Sequence, residues 1–320
     1  MIYPANKSSW IIKQPYIKPP LDHIAMVQLL KKRWLEIWDE GKVEKHLKHT
    51  GYYRLSAYFK SYQKKDDTFI QGTSFHDVWD TYIFDRKLRL HTLDAIEKIE
   101  VSLKANINDI FSIKKWCLWY LDPANFDLTP RVSYNPNAKQ PFDIHKELMT
   151  KISNISGSPR ENVKYYQQKY TPNELPSWIL FDELTIGEIS NMYNLFPQAT
   201  RQEIADVYGV YERDFKAWIQ TIMNIRNICA HHGRLWNRRY PFKVRANDII
   251  FKSKFQKFKN KGWYMEVIPN YYNIFLIITH LLWKINKNFH WTDGLKNILK
   301  QHKHRYNKRM WLPARWYKNT

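Results

Sequence analysis

Four polar side chains with catalytic capacity occur together in the segment MNIRNICAHHGRLWNR, residues 223–238. Arg226 supplies a permanently charged guanidinium that suits phosphate oxygens. His231 and His232 supply imidazoles that exchange protons near neutral pH, and Asn227 can position either group. Together they suit metal-free RNA cleavage, in which a base deprotonates the 2′-hydroxyl, an acid protonates the leaving 5′-oxygen and a guanidinium stabilises the charged phosphate.

The spacing places these side chains at the end of a helix. The segment ERDFKAWIQTIMNIRNICAHH repeats apolar residues three or four apart, and Gly233 is a natural C′ residue, so the histidines fall in the last turn. Around the helix axis His231 is offset from Arg226 by about 140° and His232 by about 240°, which excludes a simple i,i+4 metal pair. The helix dipole favours a protonated imidazole there.

One chain offers this set of groups once, whereas the reaction needs both an acid and a base. A two-fold homodimer would bring two copies of the helix end together, and we expect that assembly. The same residues also have a purely structural interpretation, because Arg and His commonly compensate a helix dipole. A zinc site from Cys229, His231 and His232 is a weaker alternative, since a second ligand pair is missing. We expect no cofactor and no metal.

Basic residues are concentrated after the histidines. The formal net charge is +21, and residues 233–320 hold 20 Lys+Arg against 3 Asp+Glu. The densest segments, FKSKFQKFKNKGWY and KQHKHRYNKRMWLPARWYK, interleave aromatic residues, a pattern that favours RNA as the partner. A solubilising face or a membrane-surface patch is the alternative. We expect Arg234, Arg238 and Arg239 to contact RNA phosphates, with a solvated basic surface as the structural interpretation.

Composition also limits the class of protein. Hydrophobic residues make up 44% of the 320, enough for a sizeable core. The two cysteines, Cys117 and Cys229, form no disulfide framework and suit a reducing cytoplasm. The first residues lack the apolar region of a secretion signal, and YYNIFLIITHLLW is too short to span a bilayer. We therefore expect a cytoplasmic protein without a membrane partner.

Helical periodicity dominates the chain and predicts an all-α fold. A first helix is expected from Leu21 to Gly41, and Ser74 and Asp77 form a capping-box pattern before a long helix that continues to Ile113. We expect an N-terminal helical segment, residues 1–72, that packs on a helical core, residues 73–290. A basic C-terminal tail follows at residues 291–320.

Charged residues of the long helix lie close to its apolar stripe. Asp85 and Arg89 are four residues apart, which predicts an ion pair. Glu100 has two interpretations that the sequence leaves open: a structural ion pair elsewhere, or a pairing with Arg226 that holds the guanidinium in place.

Several segments in order resemble a known family. RNICAHH followed by RLWNR resembles the Arg-X4–6-His signature of the HEPN superfamily. More narrowly, the chain resembles the Abi-like (AbiD/AbiF) abortive-infection proteins of bacteria, from about Lys18 to Arg239. The matching segments are KPPL, GYYRLSAYF, FDRKLRLHTLDAIEKIEVSLKANI, WYLDPANF and LPSWILFDELTIGEISNMY.

The resemblance implies a HEPN-type helical bundle with ribonuclease activity, usually dimeric, whose composite site lies at the dimer interface. By matching positions, Arg226 and His231 are expected to be the catalytic pair, with Asn227 and His232 beside them. The family implies an endoribonuclease toxin of phage defence that a structured small RNA restrains. The alternative from another class is a non-catalytic RNA-binding scaffold or regulator with the same helical fold.

Overall fold

The computed structural model describes residues 19–132, 137–171, 174–245, 250, 255–259, 265–288 and 290–302, and it confirms the predicted all-α fold. The described helices are α1 (His23–Lys32), α2 (Glu40–Thr50), α3 (Tyr52–Phe59), α4 (Phe75–Lys115), α5 (Pro141–Ser156), α6 (Glu161–Lys169), α7 (Ser177–Glu183), α8 (Ile186–Leu195), α9 (Gln198–Val207), α10 (Glu212–Ala230), α11 (Tyr271–Ile285) and α12 (Trp291–Gln301). Short 3₁₀ turns lie at Trp119–Leu121 and Pro123–Asn125. Strands β1 (Lys257–Lys259) and β2 (Met265–Val267) pair antiparallel.

The chain forms two compact units, Met1–Tyr82 and Ile83–Thr320, and the division falls inside α4. In the first unit the predicted helix to Gly41 is wrong, because α1 ends at Lys32. Trp34 has a φ of 69°, which an α-helix cannot accommodate. Beyond it Glu36 pairs with Ser74 as an isolated bridge. The segments 1–72, 73–290 and 291–320 stay predictions.

Helix α4 begins with the predicted capping box. The Asp77 carboxylate accepts the Ser74 N–H at 3.0 Å, and the Ser74 hydroxyl accepts the Asp77 N–H at 3.2 Å. The helix continues for 41 residues and ends at Lys115, two residues beyond the predicted end. Its apolar stripe is buried at Ile96, Ile99, Leu103 and Ile107 and half-buried at Ile110.

The core of the second unit includes α10, which packs against α8, α9 and α11. The predicted apolar face of α10 is buried, at Phe215, Trp218, Ile222, Ile225 and Cys229. Helix α11 is buried throughout Tyr271–Ile278, so the most apolar segment is a core helix as predicted. The close packing of α10 against these helices fixes the position of its polar C-terminal end.

Most of the two densest basic segments, residues 251–264 and 300–318, lies outside the described residues. Within the described ranges no helix combines the length and the apolar character needed to cross a membrane.

Candidate active site

The candidate site is the C-terminal end of α10, where a buried helix face meets four polar side chains. Arg226 is half-buried one turn before the end, and Asn227 beside it is exposed. His231 is the residue that ends the helix, and its N–H donates to the Asn227 carbonyl at 3.0 Å. His231 and His232 are both exposed. The structure therefore places all four predicted residues at one solvent-facing helix end.

The helix end is a Schellman motif, and His232 occupies its left-handed position. The Gly233 N–H donates to the Ile228 carbonyl at 2.7 Å, and the His232 N–H donates to the Cys229 carbonyl at 3.0 Å. His232 has a φ of 57°. The prediction that Gly233 takes the C′ position is therefore wrong: His232 is the C′ residue and Gly233 follows it.

The close packing at Gly233 favours glycine for a steric reason. A Cβ atom at this position would lie 3.1 Å from both the carbonyl oxygen and Cγ2 of Ile228. The chain passes so close to the last turn that a side chain would push the two apart. The glycine thus keeps the turn that carries the histidines tight against the helix.

A buried carboxylate from α4 holds the chain that follows the histidines. Asp85 Oδ1 accepts the Leu235 N–H at 3.1 Å and the Trp236 N–H at 2.7 Å. Asp85 is completely buried, and so are Leu235 and Trp236. The carboxylate thereby satisfies two buried turn amides.

The other oxygen of the same carboxylate forms the predicted ion pair. Asp85 Oδ2 accepts a hydrogen bond from Arg89 Nη1 at 2.5 Å, and Arg89 is only 4% exposed. Removal of one partner from a buried pair typically costs about 3–5 kcal/mol. The sequence predicted the pair but not its second function, which is to fix the segment after the histidines.

The surroundings of this pair are apolar and closed. Burial raises the pKa of the Cys229 thiol to about 12; the negative charge of Asp85 adds to that rise and Arg89 opposes it. The Tyr240 hydroxyl donates to the Leu235 carbonyl at 3.1 Å, and the Tyr240 N–H donates to the Pro269 carbonyl at 2.9 Å. The segment from the helix end to Tyr240 is therefore anchored at both ends.

The zinc alternative has little support. A thiol with a raised pKa loses its proton reluctantly, and metals bind the thiolate. Cys229 is buried, whereas His231 and His232 are exposed. Among the described residues no group of three or more His, Cys, Asp or Glu side chains is arranged to hold a metal ion.

The predicted RNA contacts lie along the same segment. Arg234 and Arg238 are half-buried, and Arg239 is exposed. The Arg238 guanidinium lies 5.9 Å from the centroid of the Tyr240 ring, and its Nη1 donates to the Arg234 carbonyl at 3.4 Å. Arg238 is thus held in place beside the histidine turn. Binding of RNA by the three arginines stays a prediction.

Glu100 forms an ion pair on its own helix. Its carboxylate lies 3.2 Å from Lys104 Nζ, one turn further along α4, and both side chains are largely buried. This is the structural pairing that was one of its two interpretations. The supporting role beside Arg226 stays a prediction.

Fold and site together define a class: an all-α protein with a solvent-facing Arg–Asn–His–His helix end that is braced by a buried ion pair. The chain belongs to the family of Abi-like proteins, whose profile matches residues 45–237. The match extends from α2 to the segment after the histidines and includes Asp85, Arg89 and the candidate site. Membership suggests a role in abortive infection, a defence of bacteria against phage. No curated protein and no solved structure matches the chain.

Proposed function

We propose that this chain is a HEPN-type, metal-independent endoribonuclease toxin of bacterial phage defence. The observation that carries the proposal is the end of α10, where exposed His231 and His232 follow half-buried Arg226 on a turn fixed by Asp85. A rigid helix end that presents a guanidinium and imidazoles to solvent suits proton transfer at a phosphodiester. The Abi-like family membership supports the same role.

In the proposed reaction a neutral imidazole, that of His231, takes the proton from the 2′-hydroxyl. The 2′-oxygen bonds to the adjacent phosphorus, and the bond from phosphorus to the 5′-oxygen breaks. An imidazolium gives its proton to that leaving oxygen, so a 2′,3′-cyclic phosphate and a 5′-hydroxyl result. Arg226 stabilises the charge on the non-bridging oxygens, while Asn227 and His232 orient the reacting groups.

The acid and the base come from two copies of the chain. A homodimer would place two α10 ends at one phosphodiester, with Arg234, Arg238 and Arg239 on the flanking phosphates. We propose a structured small RNA as a second RNA partner that restrains the activity. The charge of residues 233–320, with 20 Lys+Arg against 3 Asp+Glu, supports binding of polyanions.

The test is cleavage of a defined RNA by the purified full chain. We expect Arg226→Ala and His231→Ala to lower the rate at least about 100-fold, because each removes a group that acts in the transition state. Matched controls are Arg213→Ala, on the same helix with its side chain 72% exposed, and His290→Ala, 83% exposed. Neither control should change the rate.

The substrate and products test whether the 2′-hydroxyl is the nucleophile, and the site variants distinguish the chain from a contaminating ribonuclease, whose activity they would not lower. The same oligonucleotide with a single 2′-deoxy residue at the cleavage point must resist cleavage, and the products must carry 2′,3′-cyclic phosphate ends. If the wild type shifts RNA in a gel and never cuts it, the alternative of a non-catalytic RNA-binding scaffold is supported. Cleavage that survives in both site variants would exclude the catalytic assignment. Sequencing of RNA that co-purifies from the host tests the small RNA partner.

A further inference from the structure

The first unit contains a cavity of about 160 Å³ whose lining mixes aromatic rings with charged groups. It lies between the connection from α1 to α2, helix α2 itself and the first turns of α4. The lining residues used below are Glu36, Trp38, Lys42, His46, Phe75 and Trp79. Aromatic walls with a few polar groups are typical of small-molecule sites.

One wall of the cavity is a stack of rings. The His46 ring lies 3.7 Å from the Trp79 ring, centroid to centroid, at an interplanar angle of 25°. It also lies nearly parallel to Phe75, at 14° and 6.1 Å. Burial lowers the pKa of His46, and the neighbouring lysines 42 and 45 lower it further, so this wall is uncharged at neutral pH. His46 Nε2 is enclosed and has no hydrogen-bond partner among the described residues.

Trp38 stands at this cavity with 80% of its surface in water. Its backbone neighbours are fixed on both sides. The Glu36 N–H donates to the Thr73 carbonyl at 3.0 Å, and the Phe75 N–H donates to the Glu36 carbonyl at 2.9 Å. The Asp39 carboxylate caps the first turn of α2 at 2.9 Å. The short span that carries Trp38 is therefore held while its indole lies open, which suits a surface that a planar ligand covers.

Two charged side chains indicate which planar ligand fits. The Glu36 carboxylate is exposed and forms no hydrogen bond or ion pair with the described part of the chain, although its backbone is fixed. A carboxylate accepts two parallel N–H donors, the pattern that the N1 and N2 positions of guanine offer and that adenine lacks. Lys42 adds a positive charge that suits a phosphate, and the Asp39 carboxylate, which also lines the cavity, is engaged by the Lys42 N–H.

We propose that this cavity binds a guanine base, with Trp38 stacked on the ring, Glu36 on the N1 and N2 donors and Lys42 at the phosphate. The base can come from a free nucleotide or from a single strand of RNA, and both present the same ring and donors. The site shares no residue with the candidate active site, and the proposal does not depend on cleavage.

The experiment is calorimetric titration of the full chain with guanosine monophosphate. The wild type should bind it more tightly than adenosine monophosphate. Stacking of one base on an aromatic side chain contributes to the free energy of binding. Trp38→Ala, which removes that stacking, should therefore weaken binding by about 5- to 150-fold. The matched control is Trp116→Ala, whose side chain is 79% exposed and which does not line the cavity. It should bind as the wild type does.

Two further variants test the assigned contacts. Glu36→Gln should remove the preference for guanine over adenine, and Lys42→Ala should weaken the monophosphate but not guanosine. No binding by the wild type, or equal loss in Trp38→Ala and Trp116→Ala, overturns the proposal. The proposal is also overturned if tetramethylammonium displaces the nucleotide and Glu36→Gln keeps the wild-type affinity for guanine. Those two results together would show a cation site.

A third arm distinguishes the two sources of the base. A short guanine-containing RNA that binds more tightly than the mononucleotide, and loses that advantage in Trp38→Ala, identifies single-stranded RNA as the source. Equal affinity of the two probes identifies a free nucleotide. Both outcomes support the guanine site. The guanine site is contradicted if Trp38→Ala and the wild type bind the RNA with the same affinity and neither binds the mononucleotide.

Discussion

The Asp85 carboxylate, in the third turn of α4, accepts the backbone N–H of Trp236 at 2.7 Å, although 151 positions separate the two residues. The same oxygen accepts the Leu235 N–H, and the other oxygen pairs with Arg89. A single buried charge thus links the long helix to the segment that follows the candidate catalytic histidines. Since the groups that hold the carboxylate are all buried, salt should screen the link much less than it screens a surface ion pair.

Substitution of Asp85 should destabilise the protein strongly. We expect Asp85→Asn to lower the free energy of unfolding by about 3–5 kcal/mol, because it leaves the buried Arg89 charge without its carboxylate. The measurement is urea unfolding followed by circular dichroism. The control is Asp94→Asn on the same helix, which likewise pairs with a basic residue one turn on, Lys98, but is exposed. It should cost less than about 1 kcal/mol, and equal losses in the two variants would contradict the structure.

The amide of Trp236 should exchange slowly with solvent. It lies outside any helix or strand, where amides normally exchange fast, yet it donates to a buried carboxylate. Hydrogen exchange read by mass spectrometry of peptides around residue 236 checks this. In Asp94→Asn the protection should remain. Rapid exchange of this amide in the wild type would mean that the segment after the histidines is not anchored.

The two histidines should differ in their tolerance of glycine. His232 has a φ of 57°, whereas His231 has a φ of −85°. Glycine relieves strain only at the left-handed position, and at the other it adds freedom to the unfolded chain. We therefore expect His232→Gly to be more stable than His231→Gly by about 1 kcal/mol. Thermal unfolding of the two variants in parallel decides this, and the reverse order would exclude the Schellman geometry.

Stability should fall when the pH drops below 6.5, partly through His91. Burial lowers the pKa of His91 below its usual 6.5 despite its hydrogen bond to the Trp291 carbonyl and the nearby Asp94. The unfolded ring therefore takes up a proton first, so this contribution is complete above pH 6.5 and is lost as the pH falls toward the folded pKa.

His91→Phe isolates this effect. It should reduce the slope of unfolding free energy against pH between 6.5 and 5, by at most about 1.4 kcal/mol per pH unit for one group. The control is Leu90→Phe at the neighbouring position, which is 51% exposed and removes no titratable group, so it should leave the slope unchanged. An identical slope in His91→Phe and in the wild type would show that this ring does not contribute.

The local features of the fold were predictable from sequence because their causes are local. The cap of α4 follows from Ser74 and Asp77 three residues apart, and the buried face of α10 follows from apolar spacing. The end of α1 was not predictable, because Trp34 leaves the helix where a bridge between Glu36 and Ser74 takes over, a contact between distant segments.

The candidate site shows the same division. The grouping of Arg226, Asn227 and the two histidines at one helix end follows from their spacing. The pairing of Asp85 with Arg89 was also predictable, from their separation along one helix. The contact of Asp85 with the segment after the histidines was not, because backbone amides carry no sequence signal. The turn at Leu235 and Trp236 itself contains no Pro or Gly, so its residue types do not mark it as a turn.

The unlike environments of the two cysteines have a practical consequence. Maleimides and other thiol reagents attack the thiolate of accessible cysteines, and Cys229 is buried with a raised pKa. Cys117 is half-buried, beside an exposed Trp116. The native chain should therefore accept a fluorescent dye at Cys117 alone, so that distances between labelled copies can be followed in solution without engineering the sequence.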